Sequence, residues 1–349
     1  MSAGSRLGRL SPSGLVQAAV FVGILALLPV AFPAEWLVNL FIFTAMFAGA
    51  AMAWNLIGGS AGYPALGNGG FFGIGAYAMA IVTAHLGVGG GYWTFGWAVP
   101  IAVGTAVVFA PIGRLLLRTR AALFAILTIT LLFIGQTLAY NLASITQGSL
   151  GMTVPAPPFP PATYNQPFYY AMAALLAATV LFSWVVRTSK LGLALNAVRD
   201  DEDRARGLGV QTEMVKLFAF CSSAGFTAAF GAIWAYYIGF VYPGFAFDPI
   251  LSLSVILFAF LGGVNSLWGP VVGAALIVPV QQYLAFRFGA SHLYLIAYAG
   301  VFLLVIYLLP NGIVPSGRQY VTKMWRLRRG APSSEASLLV SNVTAGDSR

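Results

Sequence analysis

The sequence predicts an all-α integral membrane protein of about ten transmembrane helices with both termini in the cytoplasm. Composition, charge-free windows and the sidedness of the basic residues lead to it. Hydrophobic residues make up 59% of the 349 and charged residues 8%, about a third of the ~25% common in soluble domains. Apolar surface on that scale cannot all be hidden in a soluble core. Trp36–Gly113, Ala121–Val186, Leu217–Phe247, Pro249–Phe286 and Phe288–Gly317 contain no Asp, Glu, Lys or Arg. Each is long enough for at least one span of about 20 residues.

Dividing these windows at their turn residues gives spans near 15–33, 37–57, 65–86, 93–113, 121–141, 168–186, 217–239, 249–265, 269–286 and 292–309. Basic residues should collect on the cytoplasmic side of alternate loops. With the N-terminus inside, 17 of the 18 Lys and Arg fall inside, leaving only Arg287 outside. The organisation expected is a cytoplasmic N-terminus (1–14), a membrane domain (15–310) and a basic cytoplasmic tail (311–349). The Ser- and Ala-rich last twenty or so residues of the tail are expected to be disordered. The first apolar run is about 19 residues with no small-residue cleavage site, which does not suit a cleaved signal peptide. The uncharged, Pro-rich segment within 142–167 is expected to be an extended external loop without a helix. Spans 2–5 begin outside and spans 7–10 begin inside, the opposite orientation that an inverted repeat requires.

A lone Cys221 with His85 and His292 makes a metal cage improbable, and no cofactor is expected. The net charge of +9 lies in short segments beside apolar spans, so anionic lipid and not nucleic acid is its partner. None of Lys190, Lys216 and Lys323 follows a glycine, so the chain has no phosphate-binding loop for ATP hydrolysis. No span contains a carboxylate unless Asp248 counts, which argues against an ion-coupled secondary transporter. Two unclustered histidines offer little to a membrane enzyme.

Glycine marks two places. Asn55–Ala80, "NLIGGSAGYPALGNGGFFGIGAYAMA", holds Gly58, Gly62, Gly67, Gly69 and Gly73 among its eight glycines. Either these small residues allow close helix packing, or the helix breaks around Gly62–Asn68 and lines a polar cavity; both can hold. Leu261–Leu276 is comparable, with Gly262, Gly263 and Gly269 before Pro270, which suits the first turn of a new helix. Of the polar residues within spans, Asn55, Asn68, Gln136 and Asn141 stand out as pathway candidates, with interhelical hydrogen bonding as the commoner alternative.

The segment 187–216 concentrates charge of both signs. Leu191–Leu208 reads as one amphipathic helix with Leu191, Leu195, Val198 and Ala205 on its apolar face, Asp200 four residues before Arg204, and Glu202 four before Arg206. Gly207 and Gly209 would end it. By itself this could be a solvated surface helix.

"GYPALGNGGFFGIGAY", "LGLALNAVRDDEDRARGLGV" with the following "KLFAF", and "FLGGVNSLWGPVVGAAL" occur in that order. Together they resemble the permease subunits of high-affinity branched-chain amino acid ABC importers, most of all the LivM-like branch. The likeness spans about Leu40–Pro310. Departures are Ala65 and Asn68, where the family often has Ser and His, and Leu193 and Asn196, where basic or polar residues are usual; they bear on the solute, since related permeases also serve urea and other small molecules. The resemblance implies a bacterial inner-membrane protein, a second permease subunit, two ATP-binding cassette subunits and an extracytoplasmic solute-binding protein. It also implies that Val198, Arg199, Asp200, Asp201, Glu202, Asp203, Arg204, Ala205 and Leu208 belong to a coupling helix that docks on an ATPase subunit.

Overall fold

Long apolar runs free of charge leave the backbone to satisfy its own hydrogen bonds, and helices are the structure that does so within one segment. The computed structural model describes residues 12–86, 91–288, 300, 303 and 312–315. In chain order the helices are α1 (Pro12–Ala31), α2 (Glu35–Ile57), α3 (Asn68–Leu86), the one-turn α4 (Trp93–Gly96), α5 (Ala98–Leu116), α6 (Ala121–Asn141), the short α7 (Ala143–Thr146), α8 (Asn165–Thr188), α9 (Lys190–Asp200), α10 (Glu202–Gly207), α11 (Thr212–Ile238), the short α12 (Pro243–Ala246), α13 (Pro249–Gly262) and α14 (Gly269–Phe288). Seven helical segments among the described residues are long and apolar enough to cross a membrane: Glu35–Ile57, Trp93–Leu116, Ala121–Asn141, Asn165–Thr188, Thr212–Ile238, Pro243–Gly262 and Gly269–Arg287. Two shorter apolar helices, Ala19–Ala31 and Asn68–Ala84, accompany them. The expected span at 292–309, the segment 1–11 and nearly all of the basic tail lie outside the described residues.

α11 and α2 form the centre. α11 packs along α3 and α5, while α2 packs along α8, α14 and α11. Glycine permits the closest crossings. A Cβ on Gly75 would lie 1.9 Å from the Ala228 carbonyl oxygen, and one on Gly231 would lie 2.0 Å from that of Phe72, so α3 and α11 touch backbone to backbone. α5 and α6 sit at the periphery with Val99, Val103, Val107, Ile126 and Ile134 exposed.

Several boundaries differ from the sequence reading. α11 begins at Thr212, about a turn before the expected span, and takes Lys216 into the helix as a buried residue. The charged stretch is two helices and not one, because Asp201 adopts an extended backbone (φ −163°, ψ 107°). Its carboxylate accepts a hydrogen bond from the Arg204 amide at 3.0 Å and so caps α10. The segment after α6 is not wholly extended: it holds α7, the 3-10 turns Gly148–Leu150 and Pro161–Thr163, and β1 (Met152–Thr153). β1 pairs antiparallel with β2 (Phe240–Val241), Met152 opposite Val241.

Candidate functional site

The chain between α2 and α3 turns back into the bundle, and side chains supply the hydrogen bonds that a helix would have given. α2 closes as the Asn55 carbonyl accepts from the amides of Gly59 at 3.1 Å and Ser60 at 2.9 Å. Gly62 takes a left-handed backbone (φ +75°) against Arg199 of α9, a conformation costly for residues with a Cβ. The Trp54 indole donates to the Ala65 carbonyl at 2.9 Å, and the Leu66 amide donates to Thr128 Oγ1 at 3.1 Å. Asn68 then opens α3, donating to Thr227 Oγ1 at 3.0 Å and accepting from Ser223 Oγ at 3.4 Å, while the Gly69 amide donates to Ser252 Oγ at 2.7 Å. Irregular backbone inside a membrane bundle is stable only when satisfied in this way.

A second turn lies beside it. Asn55, which is buried, donates to the Ser266 carbonyl and accepts from the Asn265 amide, both at 3.0 Å, tying α2 to the connection between α13 and α14. Gly263 there has φ +115°, Gly262 lies against the Gly269 carbonyl, and Pro270 occupies the first turn of α14. Arg187, at the end of α8, donates to the Asn265 carbonyl at 2.7 Å and closes the same corner.

α9 and α10 lie across this end of the bundle. Leu195, Val198 and Ala205 are buried beneath them, whereas Leu191 and Leu208 are exposed. The Glu202–Arg206 pair expected from the sequence forms at 3.1 Å, but Arg204 pairs with Asp201 at 2.9 Å and Asp200 with Arg199 at 3.2 Å, because the break at Asp201 resets the helical spacing. Asp203 and Arg204 have side chains 96% and 86% exposed and form the outward ridge.

Under that ridge sits Lys216, with its side chain 2% exposed. Its ammonium donates to Glu202 Oε1 at 2.7 Å, the Leu117 carbonyl at 2.9 Å and Tyr63 Oη at 3.1 Å. The Tyr63 hydroxyl donates in turn to the other Glu202 oxygen. Three acceptors satisfy all three ammonium donors, which is what allows a charge to be buried. Burial, the hydrogen bond to Glu202 and its charge push the Tyr63 phenol above its ordinary value. Burial alone would raise the Glu202 carboxyl, but hydrogen bonds from Lys216 and Tyr63 and the charges of Lys216 and Arg206 outweigh it and hold it below the usual value. A cleft of about 550 Å³ opens here, lined by Gly62, Tyr63, Arg120, Arg199, Glu202 and Lys216 among others.

The remaining candidates lie elsewhere. Gln136 and Asn141 are on α6, half-buried and exposed respectively, and the Asn141 amide bonds back to the Thr137 carbonyl at 2.8 Å. Gly67 and Gly73 lie in close approaches, to the Thr128 backbone and to Ala246–Phe247, and Gly58 against the Trp54 ring. Sequence reasoning missed Lys216, Tyr63 and Arg187 as parts of a site. No local signal marks them, since their partners Glu202, Leu117, Ser60 and Asn265 come from other segments.

This geometry is that of a multi-pass helical membrane protein with an irregular, hydrogen-bonded interior and a charged helical pair across one end. Residues 36–311 match the family model described as branched-chain amino acid transport system / permease component, and the chain belongs to that family. It is 29% identical to the high-affinity branched-chain amino acid transport system permease protein LivM of Escherichia coli K12, over 92% of this chain and 79% of that protein. Its identity to the LivM protein of Salmonella typhimurium is also 29%, over 87% and 76% of the two chains. A shorter match, 27% identical over 34% of this chain and 37% of the relative, is to the autoinducer 2 import system permease protein LsrC of Salmonella paratyphi B. No solved structure matches it significantly.

Proposed function

We propose that this permease is one of two membrane subunits of an ABC importer for branched-chain amino acids or a similarly small solute. An extracytoplasmic binding protein would deliver the solute, and two separate ATP-binding cassette subunits would drive its movement. The observation that carries this reading is the ridge of α9 and α10, with Asp203 and Arg204 in solvent while Val198 and Ala205 anchor it to the bundle. Mixed exposed charges on a helix fixed from beneath suit a polar protein partner. Val198–Leu208 is then the coupling element, and the chain has no ATPase site of its own. The loops that the basic residues assign to the cytoplasm, 58–64, 114–120 and 187–216, meet around Lys216, whereas β1 and β2 join two loops assigned outside. That convergence supports the alternation of sides between α2 and β2; we infer with it ten spans with both termini cytoplasmic, the domain limits 1–14, 15–310 and 311–349, and the opposed spans 2–5 and 7–10 as inverted repeats.

Asn68, inside the break before α3, and the α6 face carrying Thr130, Thr137 and Asn141 would border the pathway, with the second permease covering α6. The latter three bond back to carbonyls of their own helix, and exposed polar groups of this kind are unusual against lipid. Gln136 and Asn55 complete the candidate set. The complex reconstituted in vesicles with leucine, urea and other solutes tests the reading. Leucine uptake that requires ATP and falls at least tenfold in D203A/R204A, with expression retained, supports it. ATP-independent accumulation on a proton or sodium gradient by the chain alone sinks it. A response to urea and not leucine would select the small-solute branch of the same family, a choice on which the departures at Ala65 and Asn68 in the first motif bear.

A further inference from the structure

The contacts of Lys216 reach beyond α10. Glu202 is the first residue of α10, Tyr63 lies within the loop 58–67, and Leu117 closes α5, so one ammonium joins three segments that are distant in sequence. The Tyr63 hydroxyl closes the ring by donating to Glu202. Beyond Tyr63 the same loop is held by Trp54 and Thr128 and ends at Asn68, whose side chain bonds to Thr227 and Ser223 of α11. From α10 to the start of α3 the connection thus runs through the Glu202–Tyr63 hydrogen bond and then along the backbone of 63–68, which the Trp54 and Thr128 hydrogen bonds hold in place. A buried ion pair is weak evidence for stability, since desolvation offsets much of its attraction. Its value lies in register, because a cation with three fixed acceptors tolerates little displacement of any one of them.

We propose that Lys216, Glu202 and Tyr63 are a transmission joint: displacement of α10 by its partner is passed through this ring to the loop 58–67 and so to Asn68 and the first turn of α3. The inference rests on the reading of α9 and α10 as the ATPase-coupling element and adds the residues that carry its movement inward. None of the three touches solute; they position the loop. Glu202 is the side chain that must move with α10, and Tyr63 the one that must follow it. Lys216, on the long central helix, is the fixed pin between them.

The test uses the assembled complex in vesicles and measures ATP hydrolysed per solute imported for E202Q, Y63F and the double variant. Both changes are nearly isosteric. The joint predicts at least a tenfold rise in ATP per solute for E202Q and about threefold for Y63F, with hydrolysis itself kept within twofold of wild type. The double variant should be no worse than E202Q, because the two side chains act in series. E202D, which keeps the charge, should recover part of the coupling. If uptake and hydrolysis fall in proportion so that the ratio stays at the wild-type value, the ring is only structural and the proposal is overturned. Wild-type behaviour in every variant would overturn it equally. Failure of the underlying coupling reading would show differently, as uptake independent of ATP in the wild-type complex.

Discussion

The crossing of α3 and α11 makes a quantitative claim about packing. Added Cβ atoms at Gly75 and Gly231 would stand 1.9 and 2.0 Å from carbonyl oxygens of the facing helix, where ordinary contact begins near 3.4 Å. The obstructing atoms are backbone, so no side-chain rotation relieves them, and the helices would have to part by about 1.5 Å. Each of G75A and G231A should cost about 3 kcal/mol, the upper end of the range for overpacking. Both substitutions demand the same separation of the same helices. The double variant should therefore cost about 3–4 kcal/mol and not the ~6 kcal/mol of independent sites. G104A, on peripheral α5 with nothing within 4 Å of its added methyl, serves as control and should be neutral or stabilising by up to ~1 kcal/mol. Equilibrium unfolding of the full chain in mixed micelles of increasing SDS reads these differences. Single costs under about 0.5 kcal/mol, or full additivity in the double variant, would refute the reasoning.

Replacing Asn55 by Ala removes two hydrogen bonds and leaves the Ser266 carbonyl and Asn265 amide unpaired, an expected loss of about 2–4 kcal/mol in the same unfolding assay. Reporter fusions at residue 349 and within 155–161 should give opposite signals, and matching signals would remove the ten-span topology. Because the Glu202 carboxyl is held below its usual value, its pairing stabilises the fold fully above the unfolded-state value of about 4.3 and loses that contribution as pH falls through the folded-state value. The stability gap between wild type and E202Q should then be constant above about pH 5.5 and shrink below about pH 4.3. A gap unchanged in acid would show that the Glu202 charge contributes nothing.

Much of the bundle is legible in the sequence because charge avoidance is a one-dimensional property. The windows without Asp, Glu, Lys or Arg coincide with helices in the described residues, and the break between α2 and α3 announces itself through glycine. The misplaced start of α11 has a plain cause: a charged residue marks water only where no partner can reach it. Lys216 stands at the edge of an apolar run, where a charge ordinarily meets solvent, yet it is buried because Glu202, 14 residues away, and Tyr63, 153 away, converge on it. No local pattern carries that information. Asp201 does have a local signal, an acidic N-cap followed by Glu202 and Asp203 in the first turn, but the apolar spacing of Leu195, Val198 and Ala205 runs across the break and conceals it. The pairing of β1 with β2 is illegible for a different reason: two-residue strands have no periodicity to read.

The length of α11 has a mechanical consequence. Its 27 residues span about 40 Å, some 10 Å more than the hydrocarbon core of a bilayer. That surplus leaves room for Lys216, near its first turn, to stand at headgroup level, out of reach of the full penalty for charge in lipid. At the far end Gly239 turns the chain directly into β2, where Val241 is held opposite Met152. No proline interrupts the helix between these points. α11 is thus one continuous rod from the lysine to the clasp of β1 and β2, a fixed reference against which the smaller elements at either end can shift.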